Sequence, residues 1–154
     1  MKLNYFVIPL VTIITAITGS RITSQSAAWY KTIKIPGWTP PGSTIGLVWT
    51  IIFIISTVAA LIVFNRAAIN QKFYLIFVMF VINALLNVSW SYLFFGQHLI
   101  LAAFFEALIL DLSVIILIIA IWPISLTASL LLMPYAAWVT FASYLTYSIW
   151  LLNK

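Results

Sequence analysis

The chain has no cysteine, one histidine, five glycines and only two carboxylates, Glu106 and Asp111, in 154 residues. Without cysteine there is no disulfide, no thiolate nucleophile and no thiolate metal site, and no trace of a redox compartment. Charged residues make up 6% and apolar residues 65%, against roughly 25% and 45–50% in an ordinary soluble domain. A soluble globular fold is excluded on that balance, and the mean hydropathy of +1.20 agrees. No Ser/His/Asp arrangement and no glycine-rich phosphate loop is recognisable, so ordinary hydrolase and nucleotide chemistry find no support.

What fills the sequence instead is a series of continuous apolar runs. A spanning helix needs about 20 mostly apolar residues, and five such segments fit, at about 3–20, 44–64, 72–95, 99–122 and 126–152. A membrane β-barrel would show alternating segments of about 10 residues, whereas runs such as 108–121 are continuously apolar but for Asp111 and Ser113. The expected fold class is an all-α membrane protein, a five-transmembrane-helix bundle forming one domain over 1–154. The first run is read as a span rather than a signal peptide, because a single Lys2 precedes it and it reaches spanning length.

The net charge of +5 comes from seven basic residues against two acidic ones. The cations are scattered along the ends of the spans, which points to anchoring in lipid headgroups and not to nucleic acid. Five spans put Lys2, Arg66 and Lys72 on one side and Arg21, Lys31, Lys34 and Lys154 on the other, a division too even to orient the protein.

Only one connection, about 21–43, is long enough to have a task of its own. It carries three of the seven basic residues, Trp29, Tyr30, Trp38 and three of the six prolines. A disordered linker is poor in aromatics, and a loop longer than about 15 residues in a compact protein is usually a lid or binding element. The remaining connections are short, which makes sequential spans antiparallel neighbours. There is no internal repeat, and with an odd number of spans that counts against a two-halves carrier.

At about 100° per residue, Asn83, Asn87, Trp90 and Phe94 fall in one stripe of the third span. Pro134, Trp138, Phe141 and Leu145 form another on the fifth, with Tyr135 and Ala142 on its shoulder, and Trp49, Phe53, Ser56 and Ala60 a third on the second span. Amides are costly against hydrocarbon and prefer the bundle interior. A tryptophan sharing their face does not belong to a lipid-facing belt. The interior is therefore expected to hold an aromatic pocket with a few polar groups, suited to a flat, largely apolar ligand.

Both carboxylates lie in the fourth span, where an acid costs roughly 2.5–3.5 kcal/mol on insertion scales. They must face protein, pair or stay protonated, and about 140° apart on a helix they are not an acid/base pair. His98 stands alone in a tight loop with no second ligand at metal spacing, so no metal site is expected.

The segments Trp29-Tyr30, Pro36-Gly37-Trp38-Thr39-Pro40-Pro41 and Val48-Trp49 are followed by Asn83-x-x-x-Asn87-x-x-Trp90-x-x-x-Phe94-Phe95-Gly96. Then come Pro134-Tyr135-x-x-Trp138-x-x-Phe141-Ala142-x-x-Leu145 and Trp150-x-Leu152-Asn153. In this order they resemble the TspO/MBR family, the tryptophan-rich sensory proteins of bacteria and the translocator proteins, or peripheral-type benzodiazepine receptors, of mitochondria. The resemblance implies a homodimeric five-helix bundle in a bacterial cell membrane that binds protoporphyrin IX, haem-related tetrapyrroles and benzodiazepine-type ligands, with no further cofactor. Light- and oxygen-dependent degradation of protoporphyrin IX is described for some members. By motif position it implies ligand-binding residues Tyr30, Trp38, Trp49, Asn83, Asn87, Trp90, Tyr135, Trp138 and Ala142, with Trp49, Trp90 and Trp138 as candidate photo-oxidisable indoles. The sterol motif of animal members allows one to five residues in each gap, but six separate Tyr147 from Lys154, so sterol recognition by that motif is not expected. A reversed match at Lys72, Tyr74 and Val78 is of a kind that apolar spans produce by chance. The alternatives are a transporter or channel for porphyrins or other apolar molecules, and a stress-regulatory membrane scaffold.

Overall fold

A computed structural model describes residues 3–67 and 70–154. Helix α1 covers Asn4–Gln25, a single turn α2 covers Ala27–Tyr30, and α3 covers Gly42–Arg66. Helix α4, Gln71–Ser91, continues into a π-helical turn at Tyr92–Gly96, followed by α5, Ile100–Ile121, and α6, Leu126–Asn153. Five of these helices are long and apolar enough to cross a membrane.

The principal neighbours close into a ring: α1 packs on α3, α3 on α6, α6 on α5, α5 on α4, and α4 back on α1. Such a ring has an interior, and the amide stripe of α4 faces it. In hydrocarbon every polar group must find a partner within the protein, and the hydroxyls in the spans mostly do so on their own helix. Thr15, Thr50, Ser143 and Thr146 each donate to the carbonyl four residues back, at 2.8–2.9 Å. Two helix starts are capped by side chains that accept from the third residue on, Asn70 from Phe73 N at 3.2 Å and Ser125 from Ala128 N at 3.3 Å.

The first span runs five residues further than the expected end at Ser20. Gly19 is a packing residue, not a stop: a β-carbon there would lie 3.3 Å from Ser91 Oγ, so its absence lets α1 and α4 approach closely. The expected loop over 21–43 is accordingly shorter, made of the last turn of α1, the turn α2 and a segment from Lys31 to Pro41. The π-helical turn was not expected. It is marked by Gln97 N donating to Tyr92 O at 2.8 Å and is followed by His98 with a left-handed φ of 59°. The lid and the C-terminal end of α6 share one side with Arg21, Lys31, Lys34 and Lys154, while Arg66 and Lys72 flank the turn between α3 and α4 on the other. Lys2, assigned to that second side, lies outside the described residues.

Candidate functional site

At the centre of the ring a chain of hydrogen bonds joins three helices. Asn87 Nδ2 on α4 donates to Tyr135 Oη on α6 at 3.2 Å, and Tyr135 Oη donates to Asn83 Oδ1 at 3.2 Å. Asn83 Nδ2 donates to Ser113 Oγ on α5 at 2.9 Å, and Ser113 Oγ donates to Leu110 O at 2.7 Å. Asn83, Asn87 and Tyr135 are all buried. Each hydroxyl in the chain both accepts and donates, so the network is directional and nearly closed. It pins α4, α5 and α6 in register.

Six of the seven tryptophans gather on the lid side of this network, and Trp122 lies at the other end of α5. Trp49 on α3 lies edge-on to Tyr135, centroids 6.0 Å apart, and tilts against Phe53 at 5.8 Å. Trp138 on α6 lies 5.2 Å from Phe141, which in turn meets the lid residue Trp38 at 5.9 Å. Trp90 on α4 stacks on Phe94 at 5.2 Å. The indole Nε1 of Trp90 and that of Trp138 are both buried without a hydrogen-bond partner, unusual for a group that normally finds one when buried.

The lid is fastened at several points along its length. Ser26 Oγ donates to Phe95 O in the π-helical turn, and Trp29 stacks on His98 at 4.0 Å and meets Phe94 edge-on at 5.7 Å. Tyr30 lies against Phe94 and Phe95 at 6.2 and 5.7 Å, and burial pushes its phenol above the ordinary value. Lys34 N donates to Asn153 Oδ1 at 2.9 Å while Asn153 Nδ2 returns a bond to Lys34 O at 2.8 Å. Trp38 stacks on Tyr144 at 5.4 Å, and it remains half exposed.

The expected site residues thus fall into three groups. Asn83, Asn87 and Tyr135 form the polar network, with Trp49 against it. Trp38 and Trp138 are linked through Phe141, with the half-buried Ala142 beside them on α6. Tyr30 and Trp90 belong to a separate cluster around Phe94 and Phe95. Pro134, at the head of the α6 stripe, faces outward. Ser113 was not singled out from sequence, although a lone serine in the apolar run 108–121 was a usable signal. The π-helical turn, a feature frequent at functional sites, positions the Phe94–Phe95 pair that Trp29 and Tyr30 touch.

A cavity of about 400 Å³ reaches the network from the side away from the lid. It lies between α1, α3 and α4, and its deep end is formed by Asn83, Asn87 and Tyr135. On α5, Glu106 is buried with neither carboxylate oxygen bonded. Asp111 Oδ2 accepts from Thr140 Oγ1 at 2.7 Å.

The TspO/MBR family model matches residues 6–151. The tryptophan-rich protein TspO of Chlorobaculum tepidum is 38% identical over 136 residues, 88% of this chain and 86% of that protein. Protein CrtK of Rhodobacter capsulatus is 29% identical over 153 residues, 99% and 95% of the two chains. The human translocator protein is 26% identical over 134 residues, 86% and 79%. Five helices of spanning length and bacterial relatives along most of the chain make this a multi-pass bacterial membrane protein. With the family's pattern covering nearly every residue and all five spans in place, the chain belongs to the TspO/MBR family.

Proposed function

We propose that the protein binds protoporphyrin IX or a haem-related tetrapyrrole beneath its lid and promotes the pigment's light- and oxygen-dependent oxidative degradation. The observation that carries this reading is the pair of buried, unpartnered indole N–H groups on Trp90 and Trp138, each about one helical turn past a network residue, Asn87 on α4 and Tyr135 on α6. Indole faces supply stacking area for a flat macrocycle. The two free N–H donors and the Asn83–Asn87–Tyr135 amides and phenol supply the few directional contacts that fix its orientation. Benzodiazepine-type ligands, which are also flat and mostly apolar, suit the same surfaces.

Entry of a macrocycle requires the lid contacts at Trp38 and Tyr30 to part, and their return shields the bound pigment from lipid and water. Under illumination the excited pigment and oxygen generate the oxidising species. Trp49, Trp90 and Trp138 are the candidate indoles, and their part in the chemistry is to give one electron to that oxygen-derived species and regain it from the bound pigment, which is thereby oxidised. The protein acts as a homodimer in this reading, with each chain carrying its own pocket.

The test is a spectroscopic titration of purified protein with protoporphyrin IX, in the dark and under light. Saturable binding with an unchanged spectrum in the dark, and pigment loss only in light, is the expected result. Trp138→Phe keeps most of the stacking area but loses one N–H donor, so affinity should fall about three- to tenfold, while photodegradation of the bound pigment should slow. Equal rates in variant and parent would remove Trp138 from the chemistry, and the same comparison on Trp49 and Trp90 asks whether several indoles share it. A protein-dependent flux of porphyrin across sealed vesicles, without pigment loss, would instead support a transporter.

A further inference from the structure

We infer that the cavity on the side of the network away from the lid is a second binding site, for a neutral single-chain lipid alcohol that enters sideways from the bilayer between α1 and α4. This goes beyond the tetrapyrrole reading and does not rest on it.

Shape is the first argument. The lining follows α4 from Phe73 to Asn87, a length of about 21 Å at 1.5 Å per residue. The cavity, about 400 Å³ in volume, is thus a slot drawn out along α4, a form that follows an extended alkyl chain. Access is the second. Val7 and Val11 on α1 and Phe77 and Val81 on α4 line the cavity and are also exposed on the face that meets lipid. A molecule already dissolved in the bilayer can therefore enter without crossing water.

Chemistry is the third argument. Ser56 lines the cavity, and its Oγ is buried beside it without any partner, one turn of χ1 from the cavity, although Thr50 on the same helix, and Thr12 and Thr15 on the facing helix, bond back to a carbonyl. An unpaired hydroxyl in hydrocarbon costs free energy that a ligand hydroxyl would recover. Every side chain lining the cavity is uncharged, so nothing there offsets a carboxylate or phosphate. The fitting ligand is an alkyl chain ending in a neutral hydroxyl that reaches Ser56 and the amide end of the cavity.

The test uses the full chain in phosphatidylcholine nanodiscs with a long-chain alcohol bearing a mid-chain diazirine, irradiated and mapped by peptide mass spectrometry. Labels should concentrate on cavity-lining residues of α1, α3 and α4 and be displaced by excess hexadecanol but only weakly by palmitate. Ser56→Ala should weaken displacement by hexadecanol about three- to tenfold, the value of one hydrogen bond, while displacement by hexadecane stays unchanged. Ala84→Phe, which fills the cavity, should abolish the saturable labelling. Even labelling of all lipid faces, equal potency of palmitate, or no effect of Ser56→Ala would each overturn the proposal, and the serine variant keeps it testable if the bulkier one fails to fold. Asn83, Asn87 and Tyr135 border both sites, so a parallel protoporphyrin titration of Ser56→Ala, which lies on the cavity side only, separates them, with unchanged protoporphyrin affinity expected.

Discussion

Helix α1 and the α5–α6 pair are all long and apolar enough to span a membrane, yet they are held in different ways. The pair interlocks small and large side chains, with Ala103, Ala107, Leu110 and Val114 on α5 and Ala128, Leu132, Val139 and Ile149 on α6 all buried. Ser129 Oγ reaches across to Ile118 O at 3.1 Å. On α1 Thr15 is the sole buried residue among those described. It is attached instead by a few polar contacts, Asn4 Nδ2 to Phe64 O at 3.2 Å and Thr57 Oγ1 to Thr12 Oγ1 at 2.9 Å, and by the close approach at Gly19. Lipid tails are as apolar as leucine, so association in a membrane depends on fit and hydrogen bonds. By that measure α5–α6 is the fixed wall that holds Tyr135 and Ser113 in place, and α1 is the loosely keyed wall that both flanks the cavity and leads into the lid.

The largest expected effect breaks the loosely keyed side at its lid. Replacing residues 29–38 by a Gly/Ser segment of equal length removes the Trp29, Tyr30 and Trp38 ring contacts together. The equivalent of two aromatic pairs at ~0.5–1.5 kcal/mol each, about 1–3 kcal/mol together, corresponds to dissociation of protoporphyrin IX about 5–150-fold faster. Stopped-flow release measures this, with helical circular dichroism confirming that the bundle persists. Unchanged dissociation would make the segment a connector only.

The next effect sharpens the contrast between the walls themselves. Ala107→Leu forces extra methylenes into the α5–α6 seam and should cost about 1–3 kcal/mol. Ala16→Leu, half-buried on α1, should cost less than about 0.5 kcal/mol. Denaturant unfolding in mixed micelles compares the two, and equal losses would mean that α1 is keyed as tightly as the pair.

Much of this architecture was legible in the sequence because lipid imposes a simple code. Length and apolarity define a span, so all five were found, and the costs of burying amides put the Asn83–Asn87 face toward the ring interior. What was not legible depends on partners that only the assembled bundle brings near. Gly19 reads as a helix stop until α4 is seen to lie against it. The π-helical turn at Tyr92–Gly96 is a local compromise between continuing α4 and placing Phe94 and Phe95 under the lid, and no spacing rule announces it. The third member of the amide stripe, Trp90, shares a face with Asn83 and Asn87 by helical phase. Its stacking partner Phe94 draws it into the lid cluster instead of the cavity. Ser56 was placed on the correct stripe of the second span, but its lack of a partner is a property of the fold alone.

The smallest effect concerns Asp111, which bridges the fixed wall through Thr140. Asp111→Asn keeps an oxygen of the same reach to accept from Thr140 Oγ1, so stability should stay within about 0.5 kcal/mol of the parent. Asp111→Leu removes that acceptor, but Thr140 Oγ1 also lies 3.0 Å from Ala136 O and keeps a partner there. One lost hydrogen bond of ~0.5–1.5 kcal/mol is then set against relief from holding an acid in the span, and the net change should fall within about 1 kcal/mol. Unfolding titrations of both variants give the number. A loss well beyond it in the leucine variant would mean that Asp111 carries more of the α5–α6 seam than its single bond to Thr140. Loss of porphyrin turnover in a stably folded asparagine variant would move the carboxyl from structure into the chemistry of the pocket.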